Sequence, residues 1–352
     1  MAVIKLVIFV LTTVLVAVIM QRIVVVWDVL RSTVIAIHAP GPCIELEDAD
    51  GGSGDLSVLP DGRVFISSGF FPGSRGKLLF TDFLDPTHAV RELQIQGNIN
   101  VSEAHFHGLS LWLNKEKGTM TIAVVNHPTS GQDTIEFFNF DEKKQTLIHT
   151  KTVKDPLFSS LNDIVLVQEN QFYVTCSQKW TRLELFLHIK MGEVLFYDGI
   201  KVKVVAGGHL FANGINVSPD QRFVYVAELL EKKISVYERK SDNSIELKQS
   251  KYLDTGVSNI EVDPHTGDLW VGAHPRISTL VSYMWKEGQG MVSPSQVLKI
   301  KAENGILEDV IEVYLDDGGE LTASSVAAFF KNRLIIGSLA SNLLLCDVKY
   351  SK

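Results

Sequence analysis

Cysteine is scarce in this chain of 352 residues, which has only Cys43, Cys176 and Cys346. No two lie at the short spacing of a zinc finger, and so few cannot form the multiple bridges of a disulfide-rich scaffold. By count alone, three buried thiols remain as open a reading as a bridge. Positive charge is not in excess either: 33 Lys and Arg face 41 Asp and Glu, for a net charge of −8. The two signs are interspersed, and without a basic patch a nucleic-acid partner is not expected. The 11 prolines and 26 glycines are dispersed, so no long disordered linker is indicated. The apolar fraction of 45% supplies one large core or two ordinary ones.

Leu6 to Met20 carries no charge. With its flanks to Trp27 it makes about 20–25 mostly apolar residues, enough to cross a hydrocarbon layer of roughly 30 Å. A cleaved signal peptide is the competing reading. It needs small residues at a cleavage site, and Val18-Ile19-Met20-Gln21-Arg22 has none. Residues 1–27 are therefore read as a signal anchor and 28–42 as a juxtamembrane segment, with Trp27 at the interface. Lys5 and Arg22 nearly balance across the span, so charge does not orient it. The sequons Asn100-Val101-Ser102 and Asn216-Val217-Ser218 place the remainder in the lumen or outside the cell. The expectation is a type II membrane protein, glycosylated at Asn100.

After Pro42 the texture changes to turns followed by short strands. Pro60-Asp61-Gly62 precedes 63–67, Gly118 precedes 119–126, and Asn170 precedes 171–175. Pro219-Asp220 precedes 222–227, Thr266-Gly267 precedes 268–272, and Lys331-Asn332 precedes 333–338. Units recurring every 40–60 residues or so have the spacing of propeller blades. An all-β, six-bladed propeller over 43–352 is predicted, with a pair of β-sandwiches as the alternative. Trp180 to Gly192 breaks the pattern and reads as an amphipathic helix.

The most informative run is Phe211-Ala212-Asn213-Gly214-Ile215-Asn216-Val217-Ser218-Pro219-Asp220. Asn213 sits in a polar loop entering a strand, where an amide oxygen can coordinate a hard cation. This run resembles the paraoxonases, calcium-dependent lactonases and arylesterases of animals. So do Leu161-Asn162-Asp163-Ile164-Val165, Val124-Val125-Asn126-His127-Pro128, His107-Gly108, and Thr266-Gly267-Asp268-Leu269-Trp270-Val271-Gly272 with His274-Pro275. The resemblance covers roughly residues 43–350 and also implies the six-bladed propeller.

Paraoxonases hold a structural and a catalytic calcium in the central tunnel. The resemblance implies that Asp55, Asp163 and the carbonyl of Leu109 hold the structural ion. Asn162, Asn213 and Asn259 match the catalytic set, but Gly54 and Ser258 stand where that set has its Glu and Asp. Affinity for calcium depends on the anionic ligands, so the catalytic ion is not expected to be held. Glu45, Glu47, Asp48 and Asp50 could substitute if their loop were rearranged. His107 and His127 match the proposed general-base dyad and His274 another pocket histidine; without the metal as electrophile the dyad is read as inactive. The resemblance further implies a Cys43–Cys346 disulfide, with Cys176 left a buried thiol. The segment at Trp180–Gly192 would be a lid or a membrane or partner contact. Some nematode relatives are type II membrane proteins that assist degenerin-type sodium channels, so an accessory or chaperone-like role with membrane-protein partners is expected. A calcium-dependent lactonase or arylesterase is the alternative.

Overall fold

The computed structural model describes residues 1–30, 35–46, 51–69, 71, 74–178, 187–286, 288–339 and 341–349. Ala2–Val26 is a helix none of whose residues is buried, long and apolar enough to cross a membrane. The hydroxyls of Thr12 and Thr13 donate to the carbonyls of Ile8 and Phe9 at 2.8 and 2.9 Å. Both polar side chains are thus satisfied within the helix, as an apolar surrounding requires.

The rest is a six-bladed β-propeller. Its inner strands are Asp55–Val58, Phe106–Asn114, Leu161–Gln168, Ala212–Val217, Gly256–Val262 and Ser324–Phe330. Every turn-plus-strand unit read from the sequence is the second strand of a blade, for example Arg63–Ser68 and Phe223–Glu228. These strands lie between two others and under neighbouring sheets, so both faces are buried; this is why they read as near-continuous β-branched and aromatic runs. Leu56, Val64 and Ile66 of the first blade pack on Val326, Ile335 and Leu343 of the last.

The ring is closed by both ends of the domain. Cys43–Leu46 pairs antiparallel with Leu343–Asp347, in a register that sets Cys43 opposite Cys346, and the two cysteines form a disulfide across 303 residues. Cys176 is buried and donates to the carbonyl of Ser159.

The foot of the N-terminal helix rests on the end of the ring where the inner strands begin. Ile23, Val26 and Trp27 join Leu210, Leu229 and Ile277 in one apolar cluster. The Trp27 ring meets Trp285 edge to face at 5.8 Å. Below it Asp28 pairs with Lys232 at 2.5 Å, both side chains less than a tenth exposed. Trp285 ends the helix Ile277–Trp285, which the sequence reading did not anticipate although Ile277, Leu280, Val281 and Met284 recur at helical spacing. Of the helix expected over Trp180–Gly192, residues 180–186 lie outside the described residues. Its last residue is not helical: Gly192 opens the strand Gly192–Tyr197, where an added Cβ would come within 2.9 Å of the His209 carbonyl oxygen.

A bridge closing so long a loop restricts the unfolded chain by about 5 kcal/mol in the loop-entropy account. Replacing both Cys43 and Cys346 by serine is expected to lower the denaturant midpoint by the equivalent of about 3–5 kcal/mol. An unchanged midpoint would show that the paired strands close the ring without the bridge.

Candidate functional site

Five of the six inner strands are irregular where they enter the tunnel, Asp55–Val58 being the regular one. Their register against the second strands shifts between Phe106 and Leu109, Leu161 and Ile164, Ala212 and Ile215, Val257 and Ile260, and Ser324 and Val326. Such shifts re-aim side chains. The residues inside them include His107, Asn162, Asp163, Asn213, Ser258 and Asn259. Two glycines permit the convergence. A Cβ on Gly108 would lie 2.6 Å from Asp163 Oδ1, and one on Gly214 would lie 2.6 Å from the Asn259 Cα.

At the entrance end the side chains are neutral amides and hydroxyls. Ser258 Oγ donates to Asn213 Oδ1 at 3.3 Å, and Asn259 Nδ2 donates to the Gly54 carbonyl at 2.8 Å. Asn162 Oδ1 and Asn259 Oδ1 are buried without a hydrogen-bond partner. Gly54 leaves open the space beside His107, whose Cδ2 would be 3.1 Å from an added Cβ. Glu45, a possible replacement acid, is exposed in the closing strand and accepts from Asn342 Nδ2 at 2.7 Å; it lies on the closing blade and not in the tunnel. Glu47, Asp48 and Asp50 lie outside the described residues.

Deeper in the tunnel the charge changes. Asp55 and Asp163 are buried in contact with each other. Asp55 Oδ2 accepts from the Leu109 N–H at 3.0 Å, and Asp163 accepts from Ile215 and Ile164 N–H groups, both at 2.7 Å. Desolvation pushes both carboxyls up, and for Asp55 the neighbouring Asp163 adds to the rise. Two like charges in contact and out of water disfavour the doubly ionised state. A third acid, Glu261, is also buried; desolvation, then the proximity of Asp55, pushes it up to about 7. The sequence reading missed Glu261, although Asn259 two residues earlier on the same strand is a signal that could have flagged it.

Whether calcium suits this tunnel can be tested on its donors. Hard cations take carboxylate, amide and backbone oxygens. The facing pair Asp55 and Asp163, with the Leu109 backbone, fits such an ion, because a dication relieves the repulsion that otherwise traps a proton. The three amides at the entrance offer oxygens without charge, and they do not fit the same ion well. Among the described residues no cluster of three or more Asp, Glu, His or Cys forms a ready metal cage.

Beside the entrance runs a relay. His107 Nδ1 is 3.4 Å from His127 Nε2, and His127 Nδ1 is 2.8 Å from Asp133 Oδ1. Asp133 Oδ2 accepts from the Leu161 N–H at 2.8 Å, which holds it in place. Burial raises Asp133, but its hydrogen bond to His127 and that histidine's charge outweigh it and leave the carboxyl low. Desolvation, then the charge of His127, lowers His107 to about 3, so at neutral pH His107 is uncharged. The pair foreseen in the sequence is therefore brought together. Its third member, Asp133, was not foreseen, because a loop carboxylate six residues past a histidine follows no spacing rule. His274 is buried separately, its Nδ1 without a partner, and desolvation lowers it to about 3. Asn100 is exposed, with its Oδ1 accepting from Ser102 Oγ at 2.7 Å.

The two depressed histidines set an acid dependence. A histidine near 3 in the folded state and 6.5 as the ordinary value binds its proton more readily when unfolded. The stabilisation is complete above 6.5 and is lost as pH falls toward 3. The expected difference between the protein and its His274→Asn variant in stability is therefore a slope confined to that window, amounting to several kcal/mol at its acid end. Parallel pH profiles from urea melts would show that His274 does not contribute to it.

Comparison with known proteins gives the geometry its family. Residues 35–348 match the Arylesterase family. The chain is 38% identical over 325 residues to human serum paraoxonase/arylesterase 1, covering 87% of this chain and 88% of that protein. It is 36% identical over 324 residues to human serum paraoxonase/lactonase 3, covering 88% and 89%. Among solved structures, a luciferin-regenerating enzyme aligns with a TM-score of 0.52 at 12% identity, covering 89% of this chain and 100% of that one. A periplasmic gluconolactonase of Pseudomonas aeruginosa aligns with a TM-score of 0.51 at 12% identity, covering 90% and 98%. At that identity these two structures establish the propeller alone. With a third of its residues shared over nearly the whole domain, this chain belongs to the paraoxonase/arylesterase family.

Proposed function

We propose that this chain is a membrane-tethered member of the family that does not hydrolyse lactones or aryl esters and acts as an accessory, chaperone-like factor for membrane proteins, degenerin-type sodium channels among them. The observation that carries the reading is the neutral ring at the tunnel entrance. Gly54 and Ser258 supply no carboxylate, and the Ser258 hydroxyl occupies Asn213 Oδ1. A carbonyl substrate there would lack a cation to polarise it and to stabilise the oxyanion, and the His107–His127 pair would have no electrophile to work against. The chain divides into an anchor at 1–27, a juxtamembrane segment at 28–42 and the propeller at 43–352. The propeller lies in the lumen of the endoplasmic reticulum or outside the cell, with Asn100 glycosylated and one structural calcium at Asp55, Asp163 and Leu109. The apolar helix, the buried contacts at its foot and the disulfide support that topology.

A specific observation favours the hydrolase as a second reading. The His107–His127–Asp133 relay is intact, and Asn162 Oδ1 and Asn259 Oδ1 remain without partners, as ligands of an entrance ion would. The full chain in detergent, assayed with lactones and phenyl acetate across calcium concentrations, separates the two. The expected result is no calcium-dependent turnover, with Gly54→Glu plus Ser258→Asp conferring some. A side chain introduced at Gly54 needs His107 to move by a few tenths of an ångström, so the gain is expected to be partial. Turnover by the unaltered chain that chelation abolishes would establish the hydrolase.

A further inference from the structure

The face of the ring away from the N-terminal helix carries a cavity outside the tunnel. It lies where three neighbouring inner strands end, Asp55–Val58, Gly256–Val262 and Ser324–Phe330. Its volume is about 330 Å³, and Leu59, Pro60, Pro264, Phe329 and Phe330 give it an apolar wall. Cavities of this size, mostly apolar with a few polar groups, are those that small organic ligands fill. The wall is preformed. Phe329 stacks on the buried Trp270, with ring centroids 4.8 Å apart and planes at 11°, and Phe330 rests against Phe83 at 5.7 Å. Neither ring can turn into the cavity without breaking that contact, so a ligand meets a surface already ordered.

The charges at the rim define the kind of ligand. Lys331 opens the two-residue turn between the paired Phe330 and Arg333, with φ of 45° there and 65° at Asn332. So tight a turn fixes where its side chain leaves the backbone. Lys331 Nζ lies 5.1 Å from the centre of the Phe330 ring, and among the described residues no carboxylate pairs with it. The acid at the same rim is already engaged. Asp263 Oδ1 accepts from the N–H groups of His265 and Thr266 at 2.8 and 3.3 Å, and His265 Nδ1 stands 3.6 Å from it. The uncommitted charge is thus one ammonium above an aromatic wall, complementary to a molecule apolar at one end and anionic at the other.

We propose that this cavity binds a small organic carboxylate with an aromatic or short aliphatic body. The carboxylate pairs with Lys331, and the body lies against Phe329 and Phe330. The site is separate from the entrance amides and requires neither a metal ion nor hydrolysis there.

The probe is 4-benzoylbenzoate, an aromatic carboxylate that cross-links to its site on illumination, with the uncharged 4-benzoylbenzamide beside it. The full chain in detergent is labelled over a range of probe concentrations, and the modified peptides are found by mass spectrometry. The expected labels fall within 58–60, 263–265 and 329–331 and are competed by unreactive 2-naphthoate. Lys331→Gln, a change in an exposed turn, should weaken labelling by the acid roughly threefold to fivefold, the range of a partly solvated ion pair, and leave labelling by the amide unchanged. Lys331→Arg should retain the preference for the acid, and Phe329→Ala should weaken acid and amide alike. Labels confined to other parts of the chain would overturn the site. Acid and amide labelling these residues equally well, or an acid unaffected by Lys331→Gln, would overturn the proposal that it selects an anion.

Discussion

Two carboxyls buried against each other, Asp55 and Asp163, dominate the physics of this molecule. Six inner strands converge on a tunnel, and burial there leaves the two carboxyls poorly solvated. The backbone answers part of it, with N–H groups of Leu109, Ile164 and Ile215 aimed at the pair. That arrangement draws on register shifts at the starts of the strands carrying Leu109, Asp163 and Ile215, and on Gly108 where an added Cβ would meet Asp163. The ring geometry and the charge therefore constrain one another: Asp163 enters through a register shift of its strand while Asp55 comes from a regular one, and the groups are tolerable only where the ring holds donors or a cation against them.

The tunnel also separates two components of hydrolytic chemistry that must act together. His127, oriented by Asp133, faces an uncharged His107, an arrangement able to hold and move a proton. The metal that would make an ester or lactone carbonyl susceptible depends on charge at the entrance, and there Gly54 and Ser258 provide none. A relay can persist as a buried, well-satisfied structural network after its electrophile is lost, since removing any member would leave a buried polar group unpaired. Fold and relay together therefore say less about activity than two missing carboxylates do.

At the other extreme of the chain, the N-terminal helix is packed against the ring at its foot. Trp27, the short helix Ile277–Trp285 and the Asp28–Lys232 pair join its foot to the end of the ring where the neutral amides lie. An ion pair buried this deeply contributes definition of geometry more than stability. It fixes the foot of the helix against the ring.

The sequence by itself determined the ring and which residues stand at its tunnel motifs. Blade strands were legible because burial on both faces demands β-branched and aromatic runs behind turn residues. Gly54, Ser258 and the three asparagines were legible because each lies in a motif of fixed local order. What only the tertiary structure decided are contacts between residues distant along the chain. Asp133 reaches His127 around a loop, Glu261 comes near Asp55 across some two hundred positions, and Asp28, just past the N-terminal helix, finds Lys232 on a distant blade. No local pattern encodes such meetings, because they follow from how six sheets close around one axis. For the same reason Glu45, one of a cluster of acids near the tunnel motif in sequence, ends on the closing blade. Proximity along the chain does not survive the turn from one strand to the next.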